Sequence, residues 1–381
     1  MRRTVFTDDH ESFRTKIREF VEREVVPVYP EWERAGLVPR ALYRRLGELG
    51  VFVIEVPEQF GGAGESSYKY QAVLREEIAR AGVSFGADVV HTCLVQPYLL
   101  EYGSAEQKRR WLPKFVTGEL MTAIAMTEPG TGSDLAGIKT SARLSADGTH
   151  YVLNGAKTFI TGGVQADLIL VVCRTAPIDP ANRRAGLSIL CVDTTSEGFA
   201  VGRKLEKLGL RAQDTAELSF TDVKVPVANL LGQDGAAFSY LTHNLVRERL
   251  GAAVGAYANA SAAIEFTLDT LRQHYPDGVD QNAKFVLAEC DTEVAAAQAW
   301  VDRALDLDET GALSAADAAK IKLFCTEVAG RVIDRCLQLH GESGYLLDSP
   351  IGRLYADIRV NRIYAGSSEV MKAIIAKSIG I

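Results

Sequence analysis

Residues 121–134 read MTAIAMTEPGTGSD, and at this stretch the pattern of the chain changes. Before it, apolar residues recur every three or four positions, which is the spacing of amphipathic helices. After it, short runs rich in β-branched and aromatic residues alternate with pairs of turn residues, which is typical of strands. The stretch is therefore the boundary between a helical region and a β-rich region.

The region before this boundary is helical along its length. One apolar stripe runs from Phe13 to Val21 before Pro27 breaks the helix. Three later helical segments cover residues 40–50, 68–82 and 104–115, and Ser104 suits the N-cap of the last one. No strand-like run interrupts these segments. The sequence therefore predicts an all-helical N-terminal domain over residues 1–120.

The region after the boundary predicts a small β domain and then a second helical one. Asp147-Gly148 separates two alternating runs and predicts a hairpin turn, and Asn154-Gly155 predicts a second turn nearby. Further strands are expected at 168–173, 187–192 and 216–220, a spacing that indicates a β-sandwich or barrel over residues 121–232. The helical period then returns, which predicts a C-terminal helical bundle over residues 233–381. The predicted fold class is α+β, in the order helices, strands, helices.

Composition and charge exclude several classes of protein. The 381 residues carry a net charge of −7, so the chain as a whole has no bias toward nucleic acid or anionic membranes. No window reaches about 18 uncharged apolar residues, and the first residues lack the apolar core of a signal peptide. We therefore expect a cytoplasmic protein that neither inserts into membranes nor binds nucleic acid.

The cysteines and the common nucleotide motifs give no sign of metal or redox chemistry. Six cysteines are scattered along the chain without a C-x-x-C pair or a histidine at metal-ligand spacing, which favours reduced core residues over a redox role. The sequence contains no G-x-G-x-x-G after a strand, no P-loop and no G-x-S-x-G elbow. We therefore expect no bound metal, and the Rossmann, P-loop and hydrolase classes have no support.

The glycine-rich turn after the first predicted strand is the clearest candidate for a binding site. Between Met126 and Asp134 it exposes backbone N–H groups and hydroxyls, which suit an anionic or polar ligand. An ordinary loop between two domains explains the same residues. The pattern alone leaves both interpretations open.

Several segments, in one order along the chain, resemble signatures of the acyl-CoA dehydrogenase family. They are VPEQFGG at 56–62, TEPGTGSD at 127–134, NGAKTFIT at 154–161, LGLR at 208–211 with FTDVKVP at 220–226, QLHG at 338–341 and IYAGS at 363–367. Together they span nearly the whole chain and match the helix–sheet–helix order derived above. The chain thus resembles this family from end to end.

The resemblance implies that FAD binds where the sheet meets the last helical domain and that a neighbouring subunit completes the site. The cofactor-binding residues it implies are Met126, Thr127, Gly132, Ser133, Phe159, Thr161, Arg272, Gln338, Gly341, Ser367 and Glu369. Among these, Thr127 and Thr161 would place hydroxyls near the flavin ring, Phe159 would pack against it, and Ser133 would bind the pyrophosphate. Plain turn chemistry at Thr161 and an N-cap role for Ser367 remain as alternatives.

The reaction implied by the resemblance is the dehydrogenation of an acyl thioester, carried either by coenzyme A or by an acyl-carrier protein. The implied substrate-binding residues are Ser133, Arg249, Tyr364, Ala365 and Gly366. Electrons would pass to an electron-transfer flavoprotein, and the protein would be a homo-oligomer, either a dimer or a tetramer. An oxidase or monooxygenase of the same fold and a non-catalytic flavoprotein are the alternatives.

Another residue must act as the proton-abstracting base, because this chain has Ala365 where many members of the family carry a glutamate. A helix from about residue 238 offers a replacement. Its residues Leu241, Leu245, Glu248, Ala252 and Gly255 share one face, so Glu248 interrupts an apolar stripe and is expected to point inward. Burial raises the pKa of a carboxylate toward the range of a general base.

The resemblance agrees with this assignment, since the isovaleryl-type and long-chain-type members carry their base on this helix in an E-R-L pattern like that at 248–250. The alternatives for Glu248 are a structural salt bridge with Arg247 or Arg249, or a position in solvent. We therefore predict that Glu248 is the catalytic base.

Two segments depart from the family pattern. The R-x-x-F-G segment is represented only by RQHYPDG at 272–278, which weakens the assignment of Arg272 as a flavin ligand. Glu342 stands where a second glycine is usual after Gly341, so an acid lies near the adenine end of the cofactor. FAD affinity or subunit contacts are therefore expected to differ in this chain.

Overall fold

A computed structural model describes residues 3–381. Its N-terminal part contains the helices α1 (Asp8–Phe20), α2 (Tyr29–Ala35), α3 (Arg40–Glu48), α4 (Lys69–Arg80), α5 (Gln96–Tyr102) and α6 (Ala105–Val116). Short π-helical segments follow α1 (Val21–Val25) and precede α5 (Val90–Val95). Ser104 caps α6 as predicted: its hydroxyl accepts from the Gln107 N–H at 3.1 Å, and the Gln107 side chain accepts from the Ser104 N–H at 2.9 Å.

The middle part forms one hydrogen-bonded sheet. Its strands are β1 (Thr122–Ala125), β2 (Ser141–Leu144), β3 (His150–Thr161), β4 (Leu168–Arg174), β5 (Leu187–Asp193), β6 (Phe199–Lys204), β7 (Thr215–Pro226) and β8 (Leu230–Leu231). The order across the sheet is β6-β7-β3-β2-β4-β5-β8, and β1 pairs in parallel with β4 off this path. Residues predicted to form strands at 168–173, 187–192 and 216–220 lie in β4, β5 and β7.

The sheet curls so that its two halves pack face to face. Leu153 on β3 and Leu218 on β7 share one core with Val171 on β4 and Leu190 on β5. Because successive side chains of a strand point to opposite faces, the intervening residues of β4 and β5 form a second core. There they pack against α6 through residues such as Phe115. This two-layer packing fixes the sheet onto the N-terminal helices.

Of the two predicted turns, one is present and the other is not. Gly148 lies at φ +70° in the hairpin between β2 and β3, as predicted. The prediction of a turn at Asn154-Gly155 was wrong, because both residues lie inside β3 at a shift in its register with β7. The Asn154 side chain bonds there to the Asp222 carboxylate and N–H, both at 2.9 Å. Pairing with a distant strand therefore outweighs the local turn preference of the dipeptide.

The C-terminal part is a bundle of α7 (Ala237–His274), α8 (Gln281–Glu309), α9 (Ala315–His340), α10 (Pro350–Ile358) and α11 (Ser368–Ser378). At 1.5 Å per residue, α7 with its 38 residues is about 57 Å long. Buried alanines on α7 share a core with α8, α9 and residues of α4. Since alanine side chains are small, these helices approach closely, and α7 lies between the N-terminal helices and the rest of the bundle.

Within residues 3–381, the structure bears on the expectations about membranes and metals. No helix in this range is long and apolar enough to span a bilayer. No group of three or more His, Cys, Asp or Glu side chains in the same range could hold a metal ion. All six cysteines are buried and free.

Candidate active site

Glu248 lies on α7 with its side chain turned into the protein. The residue is only 8% exposed, and its Oε1 atom is enclosed without any hydrogen-bond partner. Asn244, one turn earlier, is also buried, with an unpaired Nδ2, and Tyr98 of α5 faces both residues with an unpaired hydroxyl. The carboxylate is therefore shielded from bulk solvent and lies near other buried polar atoms that have no hydrogen-bond partner within residues 3–381.

The alternative interpretations of Glu248, a salt bridge or a position in solvent, do not hold in the structure. Arg247 instead pairs with Glu55 at 2.7 Å and with Asp308 at 3.1 Å. Arg249 is buried with an unpaired Nε, and no ion pair within residues 3–381 joins it to Glu248. Neighbours at i±1 point away from each other on a helix, which accounts for both results.

The position of Glu248 changes its acidity. Burial raises the pKa of Glu248 to about 7, while the positive charge of Arg249 acts in the opposite direction. Removing a carboxylate from water disfavours its ionised form, and a pKa near neutrality lets the group accept and release a proton at physiological pH. The geometry therefore supports a general base.

The small residues beyond Glu248 differ in the space around them. A Cβ atom added at Gly251 would lie 2.4 Å from the Tyr68 hydroxyl, whereas one added at Gly255 meets no atom within 4 Å. Gly255 is seven residues after Glu248 and so lies on nearly the same face, about 10 Å further along the helix. The open space on this face of α7 is therefore at Gly255.

The connector before α11, residues 359–367, holds the segment that the resemblance assigned to substrate. Ala365 and Gly366 have φ values of +52° and +92°, a conformation that alanine rarely adopts. Their N–H groups donate to no backbone carbonyl among residues 3–381. Ser367 is the N-cap of α11 and accepts from the Val370 N–H at 3.4 Å. The turn thus offers two backbone donors to a ligand.

A buried ion pair that the sequence analysis missed fixes the glycine-rich loop after β1. Lys157 of β3, fully buried, donates to Glu128 at 3.0 Å and to the Met126 carbonyl at 2.9 Å. Glu128 also accepts from the N–H groups of Lys139 and Thr140, each at 2.8 Å. The alternation of β3 placed Lys157 on the inner face, and this was the signal available in the sequence. The pair leaves Gly132 and Ser133 exposed at the tip of the loop.

Beside this loop, β3 presents an exposed aromatic ring. Phe159 is 66% exposed at φ +57°, within a register shift between β3 and β7. The loop lies against it, since the Thr158 N–H donates to the Thr127 carbonyl at 3.0 Å. Thr161 keeps its hydroxyl near the surface, where it accepts from Gln213 at 3.3 Å. An apolar ring flanked by hydroxyls and free loop N–H groups fits a planar, polar-edged ring system such as that of FAD.

The loop and Glu248 belong to one region of the molecule. Met126 and Leu135, at the two ends of the loop, pack against the core that contains Leu241. Leu241 is seven residues before Glu248 on the same face of α7, a separation of about 10 Å. The two ends of the loop and the first turns of α7 therefore share one core, about 10 Å along the helix from Glu248.

Other residues predicted to bind the cofactor lie elsewhere. Arg272 follows Glu248 by 24 residues on α7, about 36 Å along the helix, and its only ion pair within residues 3–381 is with Asp269 at 3.5 Å. The end of α9 is next to it, since His340 meets Thr267 at 3.1 Å, so Gln338 and Gly341 also belong to this distant end. Glu369 is exposed on the first turn of α11. One chain thus contains two separate groups of predicted cofactor-binding residues.

Comparisons with known proteins cover the whole chain. Models of the N-terminal, middle and C-terminal domains of acyl-CoA dehydrogenase match residues 7–119, 123–223 and 235–380. The long-chain specific acyl-CoA dehydrogenase of Sus scrofa mitochondria is 40% identical, over 99% of this chain and 88% of the relative.

Solved structures agree with these matches. The acyl-CoA dehydrogenase of Geobacillus kaustophilus is 42% identical with a TM-score of 0.94, over 99% of both chains. A Mycobacterium smegmatis glutaryl-CoA dehydrogenase in complex with FADH2 is 25% identical with a TM-score of 0.89, over 99% of this chain and 95% of that one.

Proposed function

The chain belongs to the acyl-CoA dehydrogenase family, and from that premise we propose that Glu248 is the base that removes a proton from the carbon next to the thioester carbonyl. The protein is an FAD-dependent enzyme that dehydrogenates acyl-CoA to the 2-enoyl thioester. One observation carries the assignment of the base: within residues 3–381, Glu248 is a buried carboxylate without an ion pair. Ala365, at the position where many members have their base, has no group that can accept a proton.

The reaction removes a proton from one carbon and a hydride from the next, which leaves a trans double bond between them. The Glu248 carboxylate takes the proton. FAD, when bound, supplies the acceptor for the hydride. The free N–H groups of Ala365 and Gly366 are suited to bind the thioester oxygen, where negative charge develops as the proton leaves.

The remaining residues of the site orient the two reactants. With FAD bound, Phe159 would pack against the flavin ring, the hydroxyls of Thr127 and Thr161 would donate to its edge, and Gly132 and Ser133 would hold the pyrophosphate. Arg249 lowers the pKa of Glu248 against the effect of burial, so part of the carboxylate stays ionised near neutral pH. These roles follow from the exposed loop, the exposed ring and the buried arginine.

We further propose that the protein is a homo-oligomer, with the tetramer as the preferred form. Arg272, Gln338 and Gly341 lie too far from Glu248 to contact the same cofactor within one chain, and their distance supports a role at the FAD of a neighbouring subunit. A cytoplasmic location and transfer of electrons to an electron-transfer flavoprotein belong to the same proposal. We favour coenzyme A as the carrier and a long acyl chain, the class named in the Sus scrofa relative.

Anaerobic titration of the purified yellow protein with acyl-CoA thioesters tests the assignment of the base. Wild-type protein should lose its flavin absorbance, most readily with long chains. Glu248→Gln should keep bound FAD and show no bleaching, because the amide cannot accept the proton. Glu55→Gln is a matched control, since the Glu55 side chain is only 8% exposed but is paired with Arg247; it should still bleach. Bleaching by Glu248→Gln at the wild-type rate would refute the assignment.

The same preparation separates the alternatives. Hydrogen peroxide release during turnover in air would indicate an oxidase. Bleaching by acyl-carrier thioesters in preference to acyl-CoA would change the carrier. If wild-type protein bleaches with no thioester of either carrier at any chain length, a non-catalytic flavoprotein is the better description.

A further inference from the structure

Lys322, on the second turn of α9, is a buried cation that the proposed mechanism does not use. The residue is 0% exposed, and it forms no ion pair within residues 3–381. Its Nζ donates to the Gly366 carbonyl at 2.7 Å. Burying an ammonium group against a single carbonyl is unfavourable for folding, so an apolar side chain of similar length would stabilise this position better.

Other contacts already attach the connector to α9. Glu327 pairs with Arg362 at 3.0 Å and accepts from the Ser368 hydroxyl at 2.9 Å. A Cβ atom added at Gly330 would lie 2.2 Å from the Arg362 guanidinium, so Arg362 lies directly on the helix. These contacts hold both ends of the connector without Lys322. The contact of Lys322 differs from them because it is made to the Ala365–Gly366 turn itself.

The conformation of the Ala365–Gly366 turn depends on contacts with other parts of the protein. Both residues have positive φ, and a Cβ atom added at Gly366 would lie 2.5 Å from the end of the Met371 side chain. Because alanine disfavours this conformation, the turn would relax without external contacts. The direction of its two free N–H groups would then change, and oxyanion donors act only when they are aimed at the place where charge develops.

We propose that Lys322 is a positioning residue whose hydrogen bond to the Gly366 carbonyl keeps the N–H groups of Ala365 and Gly366 directed at the thioester oxygen. This inference rests on the proposed function. Lys322 acts through the turn and does not itself contact substrate.

The charges around Lys322 support this role over a purely structural one. Burial, together with the like charge of Arg249, lowers the pKa of Lys322 to about 8, whereas Glu327 and Glu369 act in the other direction. The lysine therefore reduces the stability of the fold. A residue that served only stability would not need a charge here.

The test is Lys322→Met, which keeps the length of the side chain and removes the donor. We expect unchanged FAD content, an equal or higher melting temperature, a KM for acyl-CoA within about threefold of wild type, and flavin reduction slowed about 10²-fold, the usual loss when an oxyanion site is disturbed. Lys320→Met is the matched control, since Lys320 lies on the same helix and pairs with Asp317. It should reduce at the wild-type rate.

A thioester analogue with sulfur in place of the carbon that loses hydride isolates the proton-removal step. With wild-type protein it should give a long-wavelength charge-transfer band, and with Lys322→Met the band should weaken although the analogue still binds. Lys322→Gln keeps an N–H donor without the charge and should recover about tenfold of the lost rate.

The outcomes are decisive in either direction. Reduction of Lys322→Met within threefold of wild type, or loss of FAD or of folding by this variant, would overturn the inference. No recovery in Lys322→Gln would assign the effect to charge and would also overturn it. If wild-type protein is not reduced by any acyl-CoA, the proposed function fails first, whereas normal reduction of both proteins refutes only the role of Lys322.

Discussion

The burial of Glu248 makes the folded state less stable and makes the carboxylate better suited to act as a base. A carboxylate in water ionises with a pKa near 4.5, but at this position burial raises the pKa to about 7. The carboxyl of Glu248 ionises at lower pH in the unfolded chain than in the folded one. The folded state is therefore destabilised in the pH range where the ionisation of this group differs between the two states. The same energetic penalty makes the group a suitable base near neutral pH.

This penalty predicts a pH dependence of stability at the residue scale. Below about pH 4 the carboxyl is protonated in both states and has no effect. As the pH rises from there to 7, the unfolded state releases the proton first, so the free energy of unfolding falls, by about 3 kcal/mol in total. Glu248→Gln should therefore match wild type near pH 4 and be about 3 kcal/mol more stable near pH 8, as measured by denaturant unfolding.

The control for this prediction is Glu265→Gln, which changes an exposed glutamate of the same helix. It should leave stability unchanged at both pH values. Equal stability of Glu248→Gln and wild type at pH 8 would mean that the carboxylate is better solvated than its burial indicates.

At the scale of elements, the sequence predicted correctly those features whose hydrogen-bond partners lie close together in the chain. The N-cap of α6 at Ser104 and the hairpin turn at Asp147-Gly148 were predicted and are confirmed, since their hydrogen bonds join residues a few positions apart. The Asn154-Gly155 turn was wrong because Asn154 instead bonds to Asp222, 68 residues away. The register shift that exposes Phe159 likewise depends on β7, so no local pattern announced it.

The cap of α11 allows the two roles of Ser367 to be separated. Ser367 and Ser314 cap α11 and α9 in the same way, accepting from the N–H groups of Val370 and Asp317. Replacing either serine with alanine should lower the free energy of unfolding by about 1 kcal/mol. Only Ser367→Ala should also weaken FAD binding, as measured by the FAD released on dilution. An equal FAD affinity in both variants would leave Ser367 as a cap alone.

At the scale of the whole molecule, the length of α7 separates two functions. Glu248 lies in its first half, and Arg272 lies in its last turn, about 36 Å away. The contact between His340 and Thr267 places Gln338 and Gly341 with Arg272. Under the proposed function, we therefore expect a single subunit to contribute to two different cofactor sites.

This arrangement predicts that Arg272 helps to bind the FAD held by the glycine-rich loop of a neighbouring subunit. Arg272→Ala should lower the FAD content after gel filtration at low protein concentration. The melting temperature of this variant should stay within a few degrees of wild type. Arg303→Ala, an exposed arginine on α8, should change neither quantity. Full retention of FAD by Arg272→Ala would show that Arg272 does not bind the cofactor. The experiment is informative because the R-x-x-F-G segment of the family is altered in this chain.

The sequence by itself determined the fold class and the inward position of Glu248. Both depend on the period of apolar residues along a helix or strand, which is a local property of the chain. The domain boundaries at residues 120 and 232 and the roles of the site residues stay predictions.

Only the tertiary structure decided what surrounds Glu248 and what the C-terminal residues face. The pairing of Arg247 with Glu55 and Asp308, the hydrogen bond from Lys322 to Gly366 and the contact between His340 and Thr267 all join residues remote in sequence. Such contacts are set by how whole helices pack, and no spacing of residues along the chain encodes them directly.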